Sequence, residues 1–295
     1  MTSATEKSYV DPTLINPRAV RLIEAFKEAL IRMRHEHGLT FEDLKATTDL
    51  LDKMHAATGL PLSALSMPMW SELFQGGQDG YTPSEGLSGP SYVPGAPAIS
   101  NPGSLPMRPD EPGVPLIAFG RVLDGNGRPL AGAELDIYHA ANDGNYAGIY
   151  DDGRPKYNLR GRQVTDADGR YEFTTITPAA YTDTNIAVID EVKEAAAAVG
   201  RSLYRPAHIH YEIHHPDLPT PWRGEVYFSG DPVIPVDLVG PKLAHPSLQA
   251  TAVLHDDPEE MTERGLQVPF NTAEFDFVLK TRTSPDSAVP KETAA

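Results

Sequence analysis

The sequence predicts a mainly β protein: an antiparallel β-sandwich core preceded by an α-helical amino-terminal region. Three observations predict it. Apolar residues recur every three or four positions up to about residue 74, and every second position from Leu116 onward. The 295 residues include 24 glycines and 28 prolines, which punctuate the chain with turns. Between those turns lie short alternating runs, the pattern of stacked antiparallel sheets.

The helical texture starts at Asn16-Pro17, a cap followed by proline at the first helical position. Val20, Ile23, Phe26, Leu30 and Met33 form one stripe, and Gly38 is placed to stop the helix. Thr40, with Asp43 three residues on, caps a second helix carrying Phe41, Leu44, Leu50, Leu51 and Met54. Two or three short helices cannot build a large core alone, so this region is expected to pack on the rest or on another subunit. Residues 75–115 form a long Gly/Pro/Ser-rich crossing loop. Strands are then expected at 116–122, 133–139, 170–175, 207–214, 222–228, 250–255 and 273–279. Turns lie at Asp124-Gly125-Asn126-Gly127 and Asp166-Ala167-Asp168-Gly169. One helix interrupts them at about 186–199, with Val188, Ile189, Val192 and Ala196 on one face. The expected division is a helical linker or dimerisation region at 1–80 and a β-sandwich domain holding the site at 81–295.

Composition excludes several classes. The net charge of −16 argues against nucleic-acid or anionic-membrane binding, which draw on basic surfaces. The absence of cysteine removes disulfides, thiolate nucleophiles and cysteine-bound metals. No run approaches the roughly 20 apolar residues of a membrane span, and no signal-like segment opens the chain, so a cytoplasmic location is expected.

The chemistry concentrates in Arg205-Pro206-Ala207-His208-Ile209-His210. On a strand, residues i and i+2 share a face, so His208 and His210 can grip one metal ion beside the Arg205 guanidinium. Two loop tyrosines, Tyr146 after the 133–139 strand and Tyr181 after the 170–175 strand, lie off any apolar face. Taken singly, each reads better as a packing or hydrogen-bonding residue. On the residues alone, a ferrous or zinc site of His208, His210 and Glu225 or Glu212 stands as an alternative. So does a non-catalytic β-sandwich binding module.

The order Gly-x-Tyr, Pro-x-x-Tyr, Arg-Pro-Ala-His-x-His resembles the intradiol ring-cleaving dioxygenases, the group of the catechol, chlorocatechol and hydroxyquinol 1,2-dioxygenases. The similarity extends to Gly89-Pro90-Ser91-Tyr92-Val93-Pro94-Gly95-Ala96-Pro97, Thr165-Asp166-Ala167-Asp168-Gly169-Arg170-Tyr171 and Phe228-Ser229-Gly230-Asp231. The resemblance implies one Fe(3+) per subunit, bound by Tyr146, Tyr181, His208 and His210. It implies cleavage of a catechol-type ring by O2 between its two hydroxylated carbons, giving a cis,cis-muconate-type diacid. Tyr181 would take a substrate proton, and Arg205 would stabilise negative charge on the ring. Leu65, Leu87, Pro90 and Gly144 would line the ring pocket. The resemblance also implies a homodimer joined through the amino-terminal helices, which can enclose a lipid. The chain departs from the family pattern at three places. Glu225 stands where the family has glutamine, and could pair with Arg205 or accept a hydrogen bond from an extra ring hydroxyl. Tyr138 replaces a tryptophan. The Tyr181–His208 interval is longer than expected.

Overall fold

Among the described residues the β-strands assemble into two sheets, set in the larger of two units into which the chain divides, Met1–Lys53 and Met54–Ala295. The computed structural model describes residues 16–59, 80–84, 88–149, 151–182, 184–237 and 245–284.

In the amino-terminal part, helix α1 spans Pro17–His37 and α2 spans Phe41–Thr58. Asn16 Oδ1 accepts hydrogen bonds from the Arg18 and Ala19 amides at 3.0 and 3.2 Å, satisfying donors that the first turn leaves free. Gly38 ends α1 in the left-handed conformation, φ 71°. Thr40 and Asp43 cap α2 reciprocally: Oγ1 accepts from the Asp43 amide at 3.1 Å and the carboxylate accepts from the Thr40 amide at 2.8 Å. The apolar stripe of α1 is exposed at Ile23, Phe26 and Met33. No helix among the described residues is long and apolar enough to cross a membrane.

In the larger unit the strands are β1 (Gly103–Ser104), β2 (Pro115–Asp124), β3 (Glu134–Tyr138), β4 (Arg160–Val164), β5 (Arg170–Ile176), β6 (His208–His214), β7 (Trp222–Phe228), β8 (Gln249–Ala250), β9 (Ala252–His255), β10 (Phe270–Glu274) and β11 (Phe277–Leu279). Helices α3 (Thr184–Ala187) and α4 (Asp190–Ala198) precede β6, and α5 (Pro258–Glu263) precedes β10. One sheet runs β1-β5-β2-β10-β9, with β11 also on β2; the other runs β4-β3-β6-β7-β8. Leu116, Val122, Phe173 and Phe277 of the first share a buried cluster with Leu135, Ile137, Ile209, Tyr211, Ile213 and Val226 of the second. Each such side chain contributes about 1.5–3 kcal/mol on burial. The period of two then turns Tyr138, His208, His210 and Glu225 to the opposite face of the second sheet.

The sheets are mixed, not purely antiparallel as the sequence suggests. β10 and β11 run parallel to β2, β1 to β5 and β8 to β7. Alternation reports which face a residue occupies; it carries no information on strand direction. Two expected strands are also divided. The run 250–255 splits at Thr251, sending β8 to one sheet and β9 to the other. The run 273–279 breaks at Phe275-Asp276, where Asp276 turns to accept from the Arg121 amide at 2.8 Å and pairs with its guanidinium. Gly120 permits this break, because a Cβ there would lie 1.9 Å from the Phe275 carbonyl oxygen. The expected helix 186–199 is likewise in two pieces. Val192 and Ala196 are buried, whereas Val188 lies outside both helices and is exposed. Strand β4, Arg-Gly-Arg-Gln-Val, has no apolar alternation to reveal it.

Candidate metal centre

Strand β6 places His208 and His210 on its polar face, and the register sets their neighbours. Tyr138 of β3 and Glu225 of β7 flank His210, and Tyr227 lies opposite His208. Tyr138 stacks on His210, with ring centroids 4.4 Å apart and planes within 5°. His208 Nδ1 lies 2.7 Å from the Pro206 carbonyl; as the donor there, it leaves Nε2 free to bind a metal.

Tyr146 arrives on the loop after β3. The Ala141 amide donates to the Asn145 carbonyl and the Gly144 amide to the Ala141 carbonyl, while Asp143 of that loop pairs with Arg154. Tyr181 arrives on the loop after β5. It exchanges two backbone hydrogen bonds with Arg205, at 3.0 and 2.6 Å, which ties it to the strand carrying the histidines.

These elements bring four donor atoms together. Tyr146 Oη lies 3.1 Å from His208 Nε2 and 3.0 Å from His210 Nε2, the two nitrogens are 3.2 Å apart, and Tyr181 Oη lies 3.1 Å from Tyr146 Oη. Metal bonds of about 2.0–2.1 Å put neighbouring donors about 3 Å apart, which is the spacing of each of these four pairs. Burial pulls both imidazoles below their usual pKa, which keeps them neutral and ready as ligands. Burial, and then the adjacent Tyr181, push the Tyr146 phenol well above its usual range. Burial also raises Tyr181, with Arg205 pulling against it. Only a strong Lewis acid would make phenolates of this pair at neutral pH.

Beside the quartet, Arg205 is held between two carboxylates. Its Nη2 lies 2.6 Å from Glu225 Oε2 and its Nε 3.1 Å from Asp237 Oδ1. Tyr227 Oη accepts from Nη2 at 3.1 Å and donates to Glu225. Burial alone would raise the Glu225 carboxyl, but the charge and hydrogen bonds of Arg205 hold it below the ordinary carboxylate range. Glu225 Oε1 also lies 3.4 Å from His210 Nδ1 and 3.7 Å from His208 Nε2. With the two histidines it forms a second candidate metal group, its ligand atoms within 4.8 Å of one another. Glu212 stands apart from that group and pairs with Arg223 at 3.0 Å.

Of the expected pocket residues, Leu65 and Leu87 lie outside the described residues. Pro90 is exposed in a turn whose neighbour, Gly89, closely approaches His210: a Cβ on Gly89 would lie 3.0 Å from Cε1. Gly144 abuts Tyr181. Tyr227 and Asp237 join the site from outside the sequence motifs. Tyr227 is two residues from Glu225 on β7, so the period of two could have found it; Asp237 follows a short 3-10 turn with no motif.

The family described as Dioxygenase is matched over residues 87–281, which holds every one of these groups. The chain belongs to this dioxygenase family. A chlorocatechol 1,2-dioxygenase of Rhodococcus opacus is 30% identical over 233 residues, 76% of this chain and 86% of that protein. Among solved structures, catechol 1,2-dioxygenase from Acinetobacter sp. ADP1 superposes with a TM-score of 0.70 at 26% identity, covering 90% of this chain and 87% of that one. Hydroxyquinol 1,2-dioxygenase from Pseudomonas putida DLL-E4 gives 0.70 at 27%, covering 92% and 93%. The relatives of this dioxygenase are thus intradiol ring-cleaving enzymes along most of its length.

Proposed function

We propose that this chain is a ferric intradiol dioxygenase that opens a catechol-type ring with O2 between its two hydroxylated carbons to a cis,cis-muconate-type diacid. The proposed cofactor is one Fe(3+) per subunit, held by Tyr146, Tyr181, His208 and His210. The observation that carries this reading is the convergence of two phenol oxygens and two imidazole nitrogens at 3.0–3.2 Å in a member of the dioxygenase family. Hard anionic phenolates suit a ferric ion, and two of them offset most of its charge in a buried site. When bound, the ion would supply the Lewis acidity that ionises the tyrosines and draws electron density from a chelated catecholate.

The chain's own groups would do the rest. Tyr181 is the less buried of the two phenols, and as a phenolate its Oη would take a proton from a substrate hydroxyl. Arg205 is a fixed cation beside the donor quartet, able to stabilise negative charge developing on the ring. Glu225 would mute that charge and accept a hydrogen bond from a further ring hydroxyl. Leu65, Leu87, Pro90 and Gly144 are the proposed pocket walls. Residues 1–80 would form the dimerisation region, enclosing a lipid, and 81–295 the catalytic domain of a cytoplasmic homodimer. The exposed apolar side chains of α1 support that assignment, and sedimentation of the purified protein tests it.

A visible spectrum of the iron-loaded protein, titrated anaerobically with catechol, hydroxyquinol and substituted catechols, tests the central reading. A phenolate charge-transfer band that shifts with substrate is expected. A colourless iron protein would instead favour the second reading, a ferrous or zinc site of His208, His210 and Glu225, which the clustering of those three residues supports.

A further inference from the structure

Arg160 is the first residue of β4 and only 1% exposed. Its Nε donates to the Ala147 carbonyl at 2.9 Å, and neither terminal nitrogen has a hydrogen-bond partner among the described residues. A buried guanidinium normally lies against a carboxylate, as Arg205 does, because leaving water is costly for an unpaired charge. Arg160 instead lies against two aromatic rings. Its guanidinium carbon is 5.1 Å from the centre of Tyr138 and 5.8 Å from that of Tyr146. Tyr146 is one of the four converging donors, and Tyr138 stacks on another, His210. The sheet register sets Arg160, Tyr138, His210 and Glu225 in one row across four strands.

The backbone is bent to achieve this. Leu159, immediately before Arg160, has φ 57° and is the one non-glycine residue with positive φ among those described. A branched apolar residue adopts that conformation at a free-energy cost, and such outliers gather where a fold must hold something in place. Leu159 is itself buried, its amide bound to the Pro106 carbonyl at 2.7 Å. The strained turn delivers the guanidinium inward beneath the two rings.

We propose that Arg160 is a positioning residue for the Tyr146 ligand, its otherwise unpaired charge held against the faces of Tyr146 and Tyr138. The inference rests on the ferric reading above. A neutral ring attracts a cation only modestly, whereas a phenolate presents a full negative charge. Arg160 therefore favours the iron-bound phenolate form of Tyr146 and fixes the Tyr138–His210 stack from behind. It reaches the site through Tyr146, not through the substrate.

The test compares iron-loaded wild type with Arg160→Gln, Arg160→Met and Arg160→Lys. A cation near a phenolate lowers the energy of its donor electrons. Loss of the charge in Gln and Met should move the charge-transfer band to longer wavelength and lower the ferric reduction potential. Iron should leave these variants at least 10-fold faster. The lysine variant should restore most of the band position. In a Tyr146→Phe background, Arg160→Gln should shift the remaining Tyr181 band far less. A folded neutral variant with the wild-type band, potential and iron retention would overturn the proposal. If neither neutral variant folds, Arg160→Lys decides: a band near the wild-type position supports it, and a band lost with iron still bound overturns it. Absence of any band in iron-loaded wild type would instead overturn the ferric reading itself, and this inference with it.

Discussion

Glu225 Oε2 lies 2.6 Å from Arg205 Nη2, so the guanidinium beside the donor quartet carries a carboxylate on its inner side. Asp237 takes its other edge, and the three groups together are net negative. A glutamine in place of Glu225 would leave the Arg205 charge matched by Asp237 alone. The relationship turns a fixed cation into a charge-balanced hydrogen-bonding pair, and it bears directly on which rings the site accepts.

Glu225→Gln should therefore change selectivity more than fold. The amide oxygen still accepts from Arg205 Nη2 and Tyr227, so the network keeps those two bonds while losing the 3.4 Å bond from Nη1 and one negative charge. A charged hydrogen bond to a third ring hydroxyl is worth about 1.5–3 kcal/mol, or about 10–100-fold in relative kcat/KM. The ratio of hydroxyquinol to catechol kcat/KM should fall by about 10-fold or more, and a ring bearing a carboxylate should become a better substrate. Steady-state kinetics on the three substrates checks it; an unchanged ratio would remove Glu225 from substrate selection.

Tyr181→Phe should weaken the visible band and slow turnover by about 100-fold or more, the usual contribution of a positioned proton acceptor. Tyr146→Phe should weaken the band and also release iron, since Tyr146 Oη lies within 3.1 Å of the Nε2 atoms of both imidazoles. Iron content and spectra separate the two effects. Full turnover in Tyr181→Phe would exclude it as the proton acceptor.

Much of this site is legible in the sequence because a strand fixes its faces. His208 and His210 follow from a period of two, and the helix caps at Asn16, Gly38 and Thr40 follow from local chemistry, whereas the choice of Glu225 over Glu212 depends on the register of β7 against β6. Tyr146 and Tyr181 are not legible in that way. Their loops could point anywhere, and only the resemblance to a family brings them to the histidines. Arg160 was hidden more deeply: β4 lacks alternation, and nothing local signals that Leu159 turns the chain inward. The parallel pairing of β10 and β11 on β2 depends on long-range order that no short pattern encodes.

His139 gives a pH dependence to folding. Its buried ring lies 2.7 Å from Thr175 Oγ1 and 2.8 Å from the Ala140 carbonyl, and burial lowers its pKa from 6.5 to about 4. Between those values the unfolded chain binds the proton and the folded chain does not. Its contribution is thus intact above about pH 6.5 and is lost as pH falls toward 4, by up to about 3 kcal/mol. Urea unfolding of metal-free protein at pH 7 and 4.5 should show wild type losing about 2–3 kcal/mol more than His139→Gln. Equal losses in the two proteins would contradict the assignment.

Gly144 joins the two tyrosine loops. Its φ of 86° is one that side-chain-bearing residues rarely adopt, and a Cβ there would lie 2.7 Å from Tyr181 Cβ. Gly144→Ala therefore faces two costs, a strained backbone and a clash with a proposed ligand, together about 1–3 kcal/mol. The clash must be relieved by moving either Tyr181 or the turn that carries Tyr146. Either movement pulls one phenol away from the other, now 3.1 Å distant. The expected result is a folded protein with lower thermal stability, a weakened and shifted charge-transfer band, and iron lost to a chelator several-fold faster. Gly153, also at positive φ but with no atom near its missing Cβ, serves as the control. Gly153→Ala should lose stability through the backbone alone and keep the wild-type spectrum. If both variants show the same spectrum as wild type, the close approach of Gly144 to Tyr181 does not set the spacing of the phenols.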